Sequence, residues 1–182
     1  MAEVAPDQAV SFTRRAGLDM IQVSAWPATS GEVCRILTEV LGVSPSMQPN
    51  AVTELGSVEI LNLAPLRWLA VWPVQTQREY ASKLAMRLPP DLAAITEVGA
   101  GRCVLCLSGP RSRDVLAKLL PIDLSAPRFS VGQCVQSAIA HIGVLVNAAG
   151  DDAFEIFVYR SFARHLSEVL MDASLEFGCT AM

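Results

Sequence analysis

Histidine is almost missing from this sequence: His141 and His165 are the only two in 182 residues. Few side chains are therefore on hand for acid–base work near neutral pH or for holding a transition metal. Charge is scarce too. Charged residues make up 18% of the chain, the net charge is −4, and no block of Lys and Arg occurs. The aromatic residues are not interleaved with basic ones, so a nucleic-acid partner is not expected. No apolar run approaches the ~18 residues that a membrane-spanning helix needs; Val144–Val146 and Leu69–Trp72 are far shorter. Residues 1–15 are polar and acidic ahead of Arg14 and Arg15, not the charged-then-apolar order of a secretory signal. The expectation is a cytoplasmic chain that binds neither membrane nor nucleic acid. The cysteines, Cys34, Cys103, Cys106, Cys134 and Cys179, are odd in number and scattered. Reduced thiols, not a disulfide framework, are expected.

What the chain has in excess is apolar surface. Hydrophobic residues are 52% of the total and the mean hydropathy is +0.38, more apolar than an ordinary soluble monomer. With a membrane span excluded, a permanent protein partner is the expected reason.

Hydrophobic periodicity organises the chain into two similar halves. Leu18–Ala25 reads as a strand. Thr29-Ser30-Gly31-Glu32 has capping-box spacing, and Val33, Ile36, Leu37, Val40 and Leu41 follow at helical spacing up to a stop at Gly42. Strands are expected at Val58–Leu63 and Trp68–Trp72. A second capping box, Thr76-Gln77-Arg78-Glu79, precedes a helix that Pro89-Pro90 ends, and a short strand follows at Ala94–Glu97. The second half repeats the order. Cys103–Leu107 is a strand, Gly109-Pro110 starts a helix, and Pro121 stops it. Cys134–Val146 reads as one long strand with a bend at Gly143, Phe154–Tyr159 as another strand, and the last helix begins near Ser161 and closes at Gly178. Strand, helix, strand, strand, helix, twice over, is a duplicated ferredoxin-like (split βαβ) pattern. The expected fold class is α+β with two antiparallel sheets. Residues 1–14 are expected to be a flexible N-terminus, and 15–179 a single domain of two pseudo-repeats, 15–98 and 99–179. Strands such as Phe154–Tyr159 and Arg67–Trp72 are apolar at both parities. Either the two sheets cover each other or a partner covers one.

Candidate chemistry is sparse. Cys103 and Cys106 have CxxC spacing, but on a strand they point to opposite faces. Neither His141 nor His165 has a ligand at metal spacing. Ser108-Gly109-Pro110 lies at a strand-to-helix turn, where anions can bind, yet Pro110 removes a donor and no phosphate-loop pattern is present. Asp151-Asp152 reads as a solvated turn. Trp26, Trp68 and Trp72 read as core or interface packing; Trp68 and Trp72 are the candidates for a partner contact. No residue is assigned to catalysis, to cofactor binding or to a metal.

Five segments, taken in order, resemble the gamma subunit of heterotetrameric sarcosine oxidases. They are Ala64-Pro65-Leu66-Arg67-Trp68-Leu69; Leu107-Ser108-Gly109-Pro110-Arg111 running on to Asp114-Val115-Leu116-Ala117-Lys118; Pro121-Ile122-Asp123-Leu124; Phe129-Ser130-Val131-Gly132-Gln133-Cys134-Val135-Gln136-Ser137; and Tyr159-Arg160-Ser161-Phe162-Ala163. Glu176-Phe177-Gly178 fits the family's end. The same region is more distantly similar to the folate-binding fold of glycine-cleavage aminomethyltransferases. In those enzymes a strand runs through a turn into another that bears an acidic catalytic residue; Ile142–Asn147 here has no carboxylate. The resemblance implies a non-catalytic accessory subunit alongside alpha, beta and delta subunits. FAD, FMN, NAD, tetrahydrofolate and zinc would belong to the whole complex, with no cofactor in this chain. A stand-alone, folate-binding aminomethyltransferase-like protein is the rival reading, and a small-ligand sensor built of paired ferredoxin-like units is a third.

Overall fold

The computed structural model describes residues 9–75 and 79–181, without the side chains of 180 and 181. The chain divides after Ala16 and after Ala100. The segment between is one compact unit, called inner here, and the flanking segments together make the outer one. Strand β1 (Val10–Arg15) belongs to the outer unit. The inner unit runs β2 (Leu18–Ala25), α1 (Ser30–Leu41), β3 (Val52–Leu55), β4 (Val58–Ala64), β5 (Arg67–Pro73), α2 (Tyr80–Arg87) and β6 (Ala93–Glu97). The outer unit resumes with β7 (Arg102–Ser108), α3 (Ser112–Leu119), β8 (Cys134–Ile139), β9 (Ile142–Gly150), β10 (Ala153–Tyr159), α4 (Ala163–Ser174) and β11 (Cys179–Ala181).

In the inner unit the sheet order is β3-β4-β5-β2-β6, all neighbours antiparallel. Without β3 this is the ferredoxin-like order. β3 is an added edge strand that periodicity does not reveal, because Val52-Thr53-Glu54-Leu55 is short and half polar. Ile21, Val23, Trp68, Ala70 and Trp72 form one face and pack with Val33, Ile36 and Leu37 of α1 and Leu84 of α2. Met20, Leu61, Leu69 and Val71, of opposite parity, are buried as well. The capping box at Thr29 does not form. Thr29 Oγ1 donates to the Leu92 carbonyl at 2.6 Å, and Glu32 turns instead to Arg35. Gly42 ends α1 in the left-handed region, φ 78°, with its N–H on the Thr38 carbonyl, the usual glycine stop. The second capping box begins at Thr76-Gln77-Arg78, which lies outside the described residues.

In the outer unit the sheet order is β11-β1-β7-β10-β9-β8. Neighbours are antiparallel apart from the parallel pair β1–β11. Residues 10–14 are therefore not a flexible terminus. They belong to β1, which runs along β7 from Ser11↔Ser108 to Arg15↔Val104 and occupies the edge place beside β7 that a closing strand after α4 would take in an isolated repeat. Its inward residues Val10 and Phe12 join the core with Leu105, Leu107, Ile156, Leu116 and Leu166. The expected long strand Cys134–Val146 is a hairpin. Ala140 and His141, at φ 47° and 67°, make a two-residue turn between Ile139 and Ile142. Both turn residues have positive φ, as type I′ geometry demands, but neither is glycine, so the usual sequence signal is absent. Helix α3 begins at Ser112, two residues beyond the expected Gly109-Pro110 start.

Candidate functional site

The helix-free face of the outer sheet carries a row of polar side chains at one level. Thr13 pairs with Cys106, Cys106 with Glu155, Glu155 with Asn147 and Asn147 with Cys134, across β1, β7, β10, β9 and β8. Glu155 is only 8% exposed. Its Oε1 accepts from Arg15 Nη1 at 2.6 Å, and its Oε2 from Asn147 Nδ2 at 3.4 Å. Burial raises the Cys106 thiol, and the Glu155 charge adds to it. Burial pushes the Cys134 thiol up to about 12. The row therefore holds a carboxylate already engaged on both oxygens and two protonated thiols, a poor basis for a nucleophile. Periodicity misses it: Glu155 sits between Phe154 and Ile156, and its cationic partner is 140 positions away. Raising the Cys134 thiol from 9.0 to about 12 cuts its thiolate roughly a thousandfold at mildly alkaline pH. Alkylation by iodoacetamide is expected to spare Cys134 in the folded chain and reach it after urea unfolding, as read by peptide mass.

The other candidates fall elsewhere. His141 and His165 are both exposed, on the β8–β9 turn and on α4. Cys103 faces the helices, where its sulfur takes Arg14 Nη2 at 3.3 Å, and Cys106 faces away. Among the described residues no three potential ligands could hold a metal ion. Ser108-Gly109-Pro110 and Asp151-Asp152 form one knot. Gly109 N–H and Ser112 Oγ donate to the Asp152 carbonyl, and Arg111 N–H donates to the Ala9 carbonyl. A Cβ on Gly109, at φ 116°, would stand 2.6 Å from Ala9 O. Backbone oxygens thus take the donors that an anion would need at this turn. Arg113 extends the knot: Nε donates to Asp151 O, and Nη1 to Leu124 O and Phe129 O. Arg113→Lys keeps the charge but not the planar fork. It is expected to cost about 2 kcal/mol of stability in urea denaturation, the scale of charge-assisted hydrogen bonds.

The tryptophans divide. Trp26 is 45% exposed, with Nε1 on the Pro90 carbonyl. Trp68 and Trp72 are 0% exposed within the inner core, so the expectation that they contact a partner is corrected. The large apolar residues that remain exposed include Leu55, Met86, Tyr159, Phe162 and Leu175.

Two units of split βαβ type, each with helices on one face of a mainly antiparallel sheet, make this a duplicated α+β protein. Accordingly, residues 56–182 match the family model described as GCVT N-terminal domain. Aminomethyltransferase T of the glycine cleavage system from Bartonella henselae aligns over 96% of this chain and 48% of its own, with a TM-score of 0.69 and 18% identity. The sarcosine oxidase subunit gamma of Corynebacterium sp. (strain P-1) is 32% identical over 98% of this chain and 86% of that protein. A chain of the heterotetrameric sarcosine oxidase from Corynebacterium sp. U-96 superposes with a TM-score of 0.87 at 26% identity, over 99% of this chain and 91% of that one. The chain belongs to the family of sarcosine oxidase gamma subunits.

Proposed function

We propose that this chain is the accessory, non-catalytic subunit of a cytoplasmic heterotetrameric sarcosine oxidase, assembled with alpha, beta and delta subunits that carry the flavins, NAD, zinc and the folate chemistry. The observation that carries this reading is correspondence over nearly the whole length, in sequence to a gamma subunit and in fold to a chain of a heterotetrameric sarcosine oxidase. The site chemistry supports it. The buried carboxylate of the outer unit is held by Arg15 and Asn147, whereas a stand-alone folate-dependent enzyme needs an ionisable group free to exchange a proton. The test is co-expression of a tagged chain with the alpha, beta and delta subunits. The expected result is a stoichiometric complex that oxidises sarcosine, and a lone chain that is colourless and carries no tightly bound zinc. A chain that binds tetrahydrofolate by itself and never co-purifies would favour the rival enzyme.

A further inference from the structure

One glycine of the outer sheet is not explained by the fold around it. Gly143 lies in β9 just past the turn at Ala140-His141, in unbroken register with Ala138 of β8. It is neither the bend of this hairpin nor a bulge, and its φ is not in the left-handed region. Among the described residues, a Cβ built on it would meet nothing within 4 Å. Glycine weakens the interior of a strand. Where no bulge or bend calls for it, the usual reason is the close approach of another group.

Strand parity puts Gly143 on the helix-free face, in line with Leu145 and Asn147. Ala138 stands beside it on β8. On its other side Val144 faces Val158, so Tyr159, the next residue of β10, flanks Gly143. Arg102 of β7 faces Tyr159 in turn. The last row of this face therefore sets two residues with almost no side chain next to an aromatic ring and a guanidinium. Gly143, Tyr159 and Arg102 line a hollow of about 190 Å³ together with Gln136, Leu145 and Phe157. It opens outward: Tyr159 is 58% exposed, and Gln136, Ala138 and Gly143 are exposed as well. The Arg102 guanidinium carbon lies 5.5 Å from the centre of the Tyr159 ring. Arg160 Nη2 donates to the Arg102 carbonyl, which brings a second cation to the rim.

Size and charge select the occupant. Pockets that enclose cofactors or drug-sized ligands run to about 300–1,000 Å³, so a hollow of about 190 Å³ suits a single side chain of another protein. Tyrosine and arginine are also the residues enriched where such anchors dock. Among the described residues that line the hollow, the one charge is that of Arg102, and a carboxylate is its complement. We infer that this hollow is the socket for a loop of another oxidase subunit. The loop lays an apolar side chain on Gly143 against the Tyr159 ring and sets a carboxylate on Arg102. Such a contact presupposes the subunit role proposed above and gives it a place on the chain.

The test is competition during assembly. The unmodified full chain and one variant are co-expressed in equal amounts with a tagged alpha subunit and the beta and delta subunits. Mass spectrometry reads their shares in the purified complex. Gly143→Gln fills the hollow with a polar side chain, and Arg102→Glu reverses its charge. Each variant is expected to enter at about a tenth of the unmodified chain's share or less, the scale of a binding hot spot. The isolated Gly143→Gln chain should keep the urea midpoint of the unmodified chain or exceed it, because its Cβ has open space. A third variant, Gly143→Cys, reads the surface without filling it. Iodoacetamide should alkylate that thiol in the isolated chain and spare it in the complex. Entry of either of the first two variants at full share overturns the proposal, as does equal alkylation of Gly143→Cys in both states. A lowered urea midpoint for isolated Gly143→Gln overturns it too, since the glycine would then serve the fold. So does a dimer of the isolated chain that sedimentation detects and Gly143→Gln dissociates, since the occupant would then be a second copy. An unmodified chain that never joins the other subunits defeats the subunit role itself, whereas each of the other adverse results strikes the socket alone.

Discussion

Trp68→Ala is expected to remove about 4 kcal/mol from the stability of the chain, with no partner subunit present. Trp68 is 0% exposed in the inner core, and its Nε1 donates to the Ser46 carbonyl at 2.9 Å. Truncating a buried Trp or Phe typically costs about 3–5 kcal/mol through lost transfer energy and the cavity left behind. Ser46 O keeps the Asn62 Nδ2 donor at 2.7 Å, so the acceptor is not orphaned and the packing loss dominates. Domains of ordinary stability hold about 5–15 kcal/mol, so the variant should be marginal. Trp26→Ala is the control: a side chain 45% exposed should cost less than about 1 kcal/mol. Urea unfolding of the isolated chain, followed by circular dichroism, checks both. Equal midpoints for the two variants would mean that Trp68 is not a core residue. The comparison also fixes how assembly data are read, because a Trp68 variant that fails to join a complex would fail through its own fold.

The elements that the sequence announces are those whose partners are near in the chain or whose pattern is self-sufficient. β2, β4, β5 and β10 carry dense Val, Ile, Trp and Phe runs bounded by turns, and α1 and α4 carry clean 3.6-residue stripes. β1 alternates well, with Val10 and Phe12 inward, but nothing near it in sequence says that it pairs with a strand about ninety residues on. β3 and β11 sit at sheet edges and are only four and three residues long, too short to show an alternating period. The β8–β9 turn hides because Ala140 and His141 take the left-handed backbone that glycine or asparagine would normally mark. The same limit applies to chemistry. The Ser108-Gly109-Pro110 turn is visible as a motif, but only the fold shows that Ala9 and Asp152 use its donors. Glu155 and Arg15, or Gly143 and Tyr159, become neighbours only through strand register.

The Arg15–Glu155 pair should separate a structural from a catalytic role for the polar row. The side chains are 25% and 11% exposed and meet at 2.6 Å. Arg15→Met removes the cation and leaves the carboxylate buried beside Asn147. Breaking a buried pair from one side typically costs about 3–5 kcal/mol, and the partial exposure of Arg15 places this case near the lower figure, about 3 kcal/mol. Replacing both partners with apolar side chains of similar size removes the unpaired charge. The Arg15→Met, Glu155→Leu double variant should therefore recover most of the loss. About 1 kcal/mol should persist, because Asn147 Nδ2 loses its acceptor. A double-mutant cycle in urea measures this coupling directly. The catalytic outcome follows from the same variants in the assembled oxidase. If Glu155 only holds the sheet together, the double variant forms a complex whose sarcosine turnover and pH profile match the unmodified one. If Glu155 moves a proton, turnover collapses in the double variant even where the complex forms in full yield, and the pH profile loses a limb.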